Sequence, residues 1–328
     1  MRMVAVVTGL TVATSAGAIE LQFPVDCSIG HDCVVQQYFD HDPGAGVSDY
    51  RCGTQTYDGH DGTDIRLPTL DDLTAGVDVL AAAPGTVTAV RNDMPDLIYS
   101  DLVAEIVADR ECGNGLVIDH GDGWETQYCH LKRGSVLVAP GTTVVAGDPL
   151  GEIGLSGVTE FPHLDFSVRK DGVDLDPFAP DGINDASCTA ETDPAEWLWV
   201  AEITEGLTYQ PAFVLNVGFA NGAILIEEIE NGAFQNTRLT TDSPAIVFFG
   251  LAINLAEGDV QTLVLTGPDG EVIAADQVAP IDAPQAQYMA FVGNRLSDPW
   301  PTGVYRGRYA VIRDGEEIAF AEAETTLE

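Results

Sequence analysis

Lysine is nearly missing from this chain: Lys132 and Lys170 are the only two among 328 residues. Lysine and arginine together number 14 against 52 acidic residues, a formal net charge of −38. That balance excludes an ordinary nucleic-acid binder, whose affinity comes from basic stripes that release phosphate counterions. It equally disfavours docking on anionic lipid through a polybasic patch. No apolar run is long enough to span a membrane, because a helix needs about 20 residues to cross ~30 Å of hydrocarbon. No C-x-x-C pair occurs, so a cysteine zinc site has no spacing to support it. Neither cysteine nor histidine occurs after Cys188. Hydrophobic residues nonetheless make up 45% of the chain, enough to bury a core and unlike a disordered acidic tail. Spread along the whole length, the acidity reads as a solvated surface, screened within about 8 Å at physiological salt.

The N-terminus carries one positive charge at Arg2, an apolar or small run from Val4 to Ala18, and the small-x-small triplet Ala16-Gly17-Ala18. Residues 1–18 therefore read as a secretory signal peptide, too short for a membrane anchor. Periplasmic or secreted location follows, and with it an oxidising compartment in which disulfides persist. Six cysteines at 27, 33, 52, 112, 129 and 188 allow fifteen pairings. Cys27–Cys33 is a plausible local loop. Cys112 and Cys129 flank the hairpin signal Gly121-Asp122-Gly123, which leaves Cys52 with Cys188.

Two all-β halves are expected. Over about 50–180, short β-rich runs alternate with Gly, Pro and Asp turns, as antiparallel sheets require. The runs are Val77–Ala83, Thr86–Val90, Leu116–Asp119, Glu125–Leu131, Val136–Val138, Thr143–Val145 and His163–Val168. Helix-like spacing occurs there at Asp101–Asp109, inside an insertion from Arg91 to Arg110. From about 208, seven strand signals recur at sandwich spacing, between Ala212 and Ala321. The expected organisation is a first domain over 19–195 and an immunoglobulin-like β-sandwich accessory domain over 208–328.

The residues that carry chemistry all lie in the first half. His60-Asp61-Gly62-Thr63-Asp64 sets an imidazole and a carboxylate four residues apart, about 13 Å on a straight strand. Both reach one ion only if the chain bends, and Gly62 permits a bend. His163 and Asp165 lie two apart on a strand, so both project from one face while Leu164 and Phe166 turn to the core. Tyr128-Cys129-His130-Leu131 contributes a third imidazole after a strand-turn-strand signal. Each piece alone is ordinary, since polar residues on an alternating strand commonly just face solvent.

Taken in order, H-x-G-x-D, a Gly-rich strand pair, Tyr-x-His-Leu, Gly-x-Ser-Gly and His-Leu-x-Phe resemble the lysostaphin-type (LytM-like) zinc metalloendopeptidases of peptidoglycan. Gly113-Asn114-Gly115-Leu116-Val117-Ile118-Asp119-His120-Gly121 and Gly154-Leu155-Ser156-Gly157 fit the connecting pattern, and the match runs from about Tyr57 to Val168. The resemblance implies an antiparallel two-sheet LytM-like core, with His60 and Asp64 as zinc ligands and His130 and His163 as catalytic histidines. It also implies a metal-activated water and peptidoglycan stem peptides or cross-links as substrate. One position departs. The family's third ligand is the second histidine of a His-x-His pair, and here it is Asp165. Carboxylate oxygen binds zinc at nearly the imidazole distance, but two carboxylates neutralise Zn²⁺ and weaken it as a Lewis acid.

Three functions are therefore distinguished by the residues. The first is an exported zinc endopeptidase of peptidoglycan, resting on His60, Asp64, His130 and His163. The second, motivated by Asp165, is a degenerate domain that binds cell wall or regulates a partner hydrolase. The third is a glycan-binding sandwich, for which Trp300, Tyr305 and Tyr309 are too few aromatics. His31 and His41, in Asp-rich stretches, are candidate replacement ligands or part of an occluding segment, although surface positions suffice to explain them. His120 at the hairpin turn reads as structural.

Overall fold

The computed structural model describes residues 18–183 and 193–328. The expected targeting segment, apart from Ala18, and Cys188 lie outside the described residues. The first ten strands are β1 (Val34–Gln37), β2 (Thr63–Arg66), β3 (Asp78–Leu80), β4 (Gly85–Arg91), β5 (Asn114–Gly121), β6 (Trp124–Leu131), β7 (Thr143–Val144), β8 (Pro149–Glu152), β9 (His163–Lys170) and β10 (Val173–Leu175). Helices α1 (Leu70–Ala75) and α2 (Ala104–Val107) are short. Eight of these strands form one sheet in the order β1-β2-β9-β6-β5-β4-β7, with β10 beside β9; β3 and β8 make a separate pair. Every pairing in the sheet is antiparallel.

Strand β9 shows why this sequence makes this sheet. Leu164, Phe166 and Val168 are fully buried on one face, opposite Ile65 and Tyr128 of the neighbouring strands. His163, Asp165 and Ser167 take the other face by simple alternation. Truncating Leu164 to alanine costs about 2–5 kcal/mol. The segment Val136–Val138, expected as a strand, is not one. Leu137 donates a single backbone bond to Leu150, and its side chain is 68% exposed. Two of the three expected cysteine pairs form, Cys27–Cys33 and Cys112–Cys129. Cys52 is disulfide-bonded as well, while its expected partner Cys188 lies outside the described residues.

A second core is built from β11 (Phe213–Ala220), β12 (Ala245–Leu255), β13 (Val260–Thr266), β14 (Val272–Gln277), β15 (Gln285–Arg295), β16 (Gly303–Arg313) and β17 (Glu316–Leu327). Helix α3 (Ile226–Glu230) interrupts the run after β11. Sheets β11-β12-β15 and β14-β13-β16-β17 enclose Phe248, Leu263, Leu265, Tyr305 and Tyr309. All seven expected strands are present. Two glycines let the sheets approach: a Cβ at Gly250 would lie 2.3 Å from Tyr309, and one at Gly307 would lie 2.1 Å from Phe248. The outer face of the three-stranded sheet presents Phe249, Leu251 and Ile253, with Leu215 beside them, and Val34 of β1 packs among these residues. Polar bonds add to that contact, from Asn254 Nδ2 to the Gln36 carbonyl and from Asn216 Nδ2 to the Pro68 carbonyl.

Among the described residues, no helix is long and apolar enough to cross a membrane.

Candidate metal centre

The chain bends at Gly62, just before β2 begins, and the bend folds His60 back over Asp64. His60 Nε2 then lies 3.3 Å from Asp64 Oδ1 rather than a strand's length away. The cross-strand partner of Asp64 is Asp165, whose Oδ1 lies 4.0 Å from the same nitrogen. Gly62 has an ordinary backbone, so its role is space. A Cβ there would sit 2.1 Å from Asp165 Oδ1. His60, Asp64 and Asp165 thus offer one ligand atom each, all within 4.8 Å of one another.

His130 reaches the same place by a different device. On β6, Thr126 and Tyr128 face the core opposite Val168 and Phe166, so strict alternation would send His130 there too. Instead His130 adopts φ +63°, a left-handed conformation rare outside glycine. That turn re-aims the ring to the Asp165 face, 4.6 Å from the ring of His163. Local backbone strain of this kind costs about 1–3 kcal/mol and persists only where the surroundings hold it. Here they do. The His130 amide donates to the Cys112 carbonyl, and the Gly154 amide donates to the His130 carbonyl.

The glycine-rich motifs build that surround. Cβ atoms at Gly113 and Gly157 would lie 2.2 Å from the Ser156 carbonyl oxygen and 2.1 Å from the Glu111 carbonyl oxygen. The two loops therefore interlock only as glycine. Buried Asn114 ties them through its backbone amide, which donates to Ser156 Oγ, while its Nδ2 donates to the Met94 and Leu131 carbonyls and its Oδ1 accepts from the Met94 amide. The Arg91–Arg110 insertion is laced to the same loop. Leu97 and Tyr99 donate backbone bonds to Leu155 and Thr159, and Asp96 accepts from the amides of Leu155 and Arg133.

All three imidazoles have Nδ1 against a backbone carbonyl: Tyr38 for His60, Ser156 for His130 and Phe161 for His163. A carbonyl only accepts, so each Nδ1 carries the proton and each Nε2 turns its lone pair to the cluster in the neutral ring. Burial lowers His130 to about 3, with His163 adding to the effect, and burial likewise lowers His163. Both stay neutral. His60 moves the other way: despite burial, Asp64 and Asp165 raise it to about 9. Burial, then Asp64, raises Asp165, whereas His60 and His163 overcome burial to lower Asp64. These carboxylates call for a cation between them.

The donor set fits a divalent ion. His60 Nε2, Asp64 Oδ1 and Asp165 Oδ1 are buried and make no hydrogen bond in the structure. Buried polar atoms left without partners are costly, and an ion taking one nitrogen and two oxygens would satisfy all three. His41 is not part of the centre; it pairs with Asp176 at 2.8 Å. His31 lies in the Cys27–Cys33 loop. His120 bridges the Pro84 carbonyl and Thr126 Oγ1, a structural role. Sequence reasoning did not single out Phe161, Thr159 or Tyr57. Tyr57 stacks on His60 at 4.4 Å, and Thr159 Oγ1 lies 3.0 Å from His163 Nδ1.

Known proteins resemble the chain over this same region. The cell division protein DipM of Caulobacter vibrioides is 30% identical over 110 residues, 34% of this chain and 14% of that protein. The peptidoglycan DD-endopeptidase ShyA of Vibrio cholerae is 30% identical over 109 residues, 33% of this chain and 20% of that protein. The chain therefore spans a fifth or less of the length of these relatives. The catalytic domain of the prophage-encoded M23 protein EnpA from Enterococcus faecalis, solved in a mutant form, superposes at TM-score 0.33. That match has 22% identity and covers 51% of this chain and 99% of that one. The sequence model of peptidase family M23 matches residues 58–177, which hold all five centre residues, and the chain carries a lysostaphin-type (LytM-like) domain of that family.

Proposed function

We propose that this protein is an exported metal-dependent endopeptidase that hydrolyses peptide bonds in peptidoglycan stem peptides or cross-links. One observation carries the reading: three buried, unpartnered ligand atoms converge beside two neutral imidazoles whose free Nε2 atoms face them. His60, Asp64 and Asp165 would hold zinc. When bound, the ion supplies Lewis acidity, which polarises a carbonyl and makes water more acidic near neutral pH. His130 and His163 supply the rest. Each has its Nδ1 committed, so Nε2 is the atom that accepts a proton from an attacking water and returns it to the leaving amine. Once protonated, either ring donates to the developing oxyanion in a water-poor site. Residues 19–195 form the catalytic unit in this reading, residues 208–328 the accessory unit, and residues 1–18 the export signal.

The test is zinc content and cleavage of purified sacculi. Zinc at one equivalent per chain, with chelator-sensitive release of muropeptides, is expected; metal-replete protein that releases nothing overturns the enzyme reading.

Asp165 favours a second reading, a degenerate domain that binds the cell wall or a partner hydrolase without cutting. Stimulation of a separate hydrolase by chelator-treated protein would support it.

A further inference from the structure

Arg66 is the most deeply buried cation in the first core, at 1% exposure, and the metal chemistry does not use it. It lies on the same face of β2 as Asp64 and is the ladder partner of His163. Its Cζ stacks over the Phe161 ring at 4.4 Å, and that ring lies 4.6 Å from the ring of His163. The Phe161 carbonyl is also the acceptor that fixes His163 Nδ1, at 2.9 Å. One residue thus packs against the phenylalanine that both tilts against the His163 ring and fixes its tautomer.

What holds Arg66 comes mostly from far along the chain. Nη2 reaches Glu230 Oε1 at 3.3 Å, and Nη1 donates to Gln287 at 3.1 Å and to Gln36 at 2.8 Å. Glu230 ends α3 and Gln287 lies on β15, both in the second core. The residues that follow Arg66 are gripped from the same side. Asn216 Nδ2 donates to the Pro68 carbonyl, and Gln235 Nε2 donates to Thr69 Oγ1. A buried guanidinium needs a counter-charge and acceptors, and its planar fork suits stacking on an aromatic ring.

We propose that Arg66 is a positioning residue for His163, clamped by Glu230 and Gln287, so that the second unit braces the catalytic face rather than merely riding beside it. The inference rests on the role given to His163 above. Its structural core, that the clamp holds the His163 ring, is testable without activity.

The experiment uses the full chain labelled with 15N at histidine, comparing wild type with Glu230→Gln, Arg66→Lys and Arg66→Met. Solvent exchange of the His163 Nδ1–H is the first readout. Loss of one hydrogen bond's worth of protection predicts exchange about three- to tenfold faster in Glu230→Gln and Arg66→Met. The His130 Nδ1–H, held by Ser156, should not change. Arg66→Lys keeps the charge but loses the fork and should fall between. The second readout is kinetic: kcat falls roughly 10- to 100-fold through a misplaced His163, with KM and metal stoichiometry kept. Should Arg66→Met fail to fold, Glu230→Gln decides, because its side chain is 22% exposed and leaves the arginine in place. Folded Glu230→Gln protein with unchanged His163 exchange overturns the proposal. Wild type inactive with every metal overturns the enzymatic reading alone, since the exchange ratio still reports on the clamp.

Discussion

Asp64 and Asp165 are direct partners across the β2–β9 ladder, and both turn Oδ1 toward Nε2 of His60, at 3.3 Å and 4.0 Å. Like charges directly opposite one another destabilise a sheet. In the metal-free fold the His60 imidazole, raised to about 9 by these carboxylates, supplies the counter-charge, and a bound ion would take its place. Zinc at 100 times its dissociation constant should stabilise the protein by about 2.7 kcal/mol, and chelator should remove that gain. Thermal melts with and without chelator check it; identical melting temperatures would show that no ion is taken up.

Asp165→His tests which functional reading holds. The pocket is shaped around the shorter carboxylate, with Gly62 packed against Asp165. The expected result is loss of cleavage, with the longer imidazole crowding Asp64. A large gain in both zinc affinity and activity would instead mark the native site as degenerate.

Gly62→Ala should disturb the metal and spare the fold. Its backbone is not left-handed, yet the new methyl would lie 2.1 Å from Asp165 Oδ1 and push that oxygen aside. Metal affinity is expected to fall at least as far as the roughly 10- to 100-fold that follows loss of an outer-shell partner. Competition with a chromophoric chelator measures it, alongside an unchanged circular dichroism spectrum.

Burial holds His120 below the usual histidine range. A group whose folded pKa is depressed takes up a proton more readily when unfolded. Stability is therefore lost as pH falls through about 6.5, the unfolded value, toward the folded one. Urea melts of metal-loaded protein at pH 7.5 and pH 5.5 should show a smaller drop in His120→Gln than in wild type. Equal drops would remove His120 from the account.

Asn114→Ala should destabilise the fold and mis-set His130 together. The substitution strands the Met94 amide and the Met94 carbonyl, at about 1–3 kcal/mol for each orphaned group. Because the Leu131 carbonyl that loses the Asn114 side chain also accepts from Ser156 Oγ, and Ser156 supplies the His130 acceptor, activity should fall further than stability explains.

The candidate site is legible in the sequence through its ordered motifs, and alternation places only one pair of its residues. His163 and Asp165 on one face, and Leu164 and Phe166 on the other, follow from period two alone. His130 did not follow, since its left-handed backbone reverses the face that alternation assigns. Strand β2 escaped notice because it is four residues long and buried on both faces, so it shows no polar-apolar pattern. Arg66 was invisible for another reason: Glu230 and Gln287 stand 164 and 221 positions away, beyond any local pattern. Val136–Val138 looked like a strand from valine content, but a single backbone bond does not make a ladder.

The Cys112–Cys129 disulfide joins the residue whose carbonyl holds His130 to the ladder partner of Asp165. Such a bond does not persist where cellular thiols are kept reduced. A chain kept under such conditions would lack the cross-link between the loop before β5 and the strand that carries His130. His130 would then keep its left-handed turn without the covalent brace on the loop whose carbonyl holds its amide.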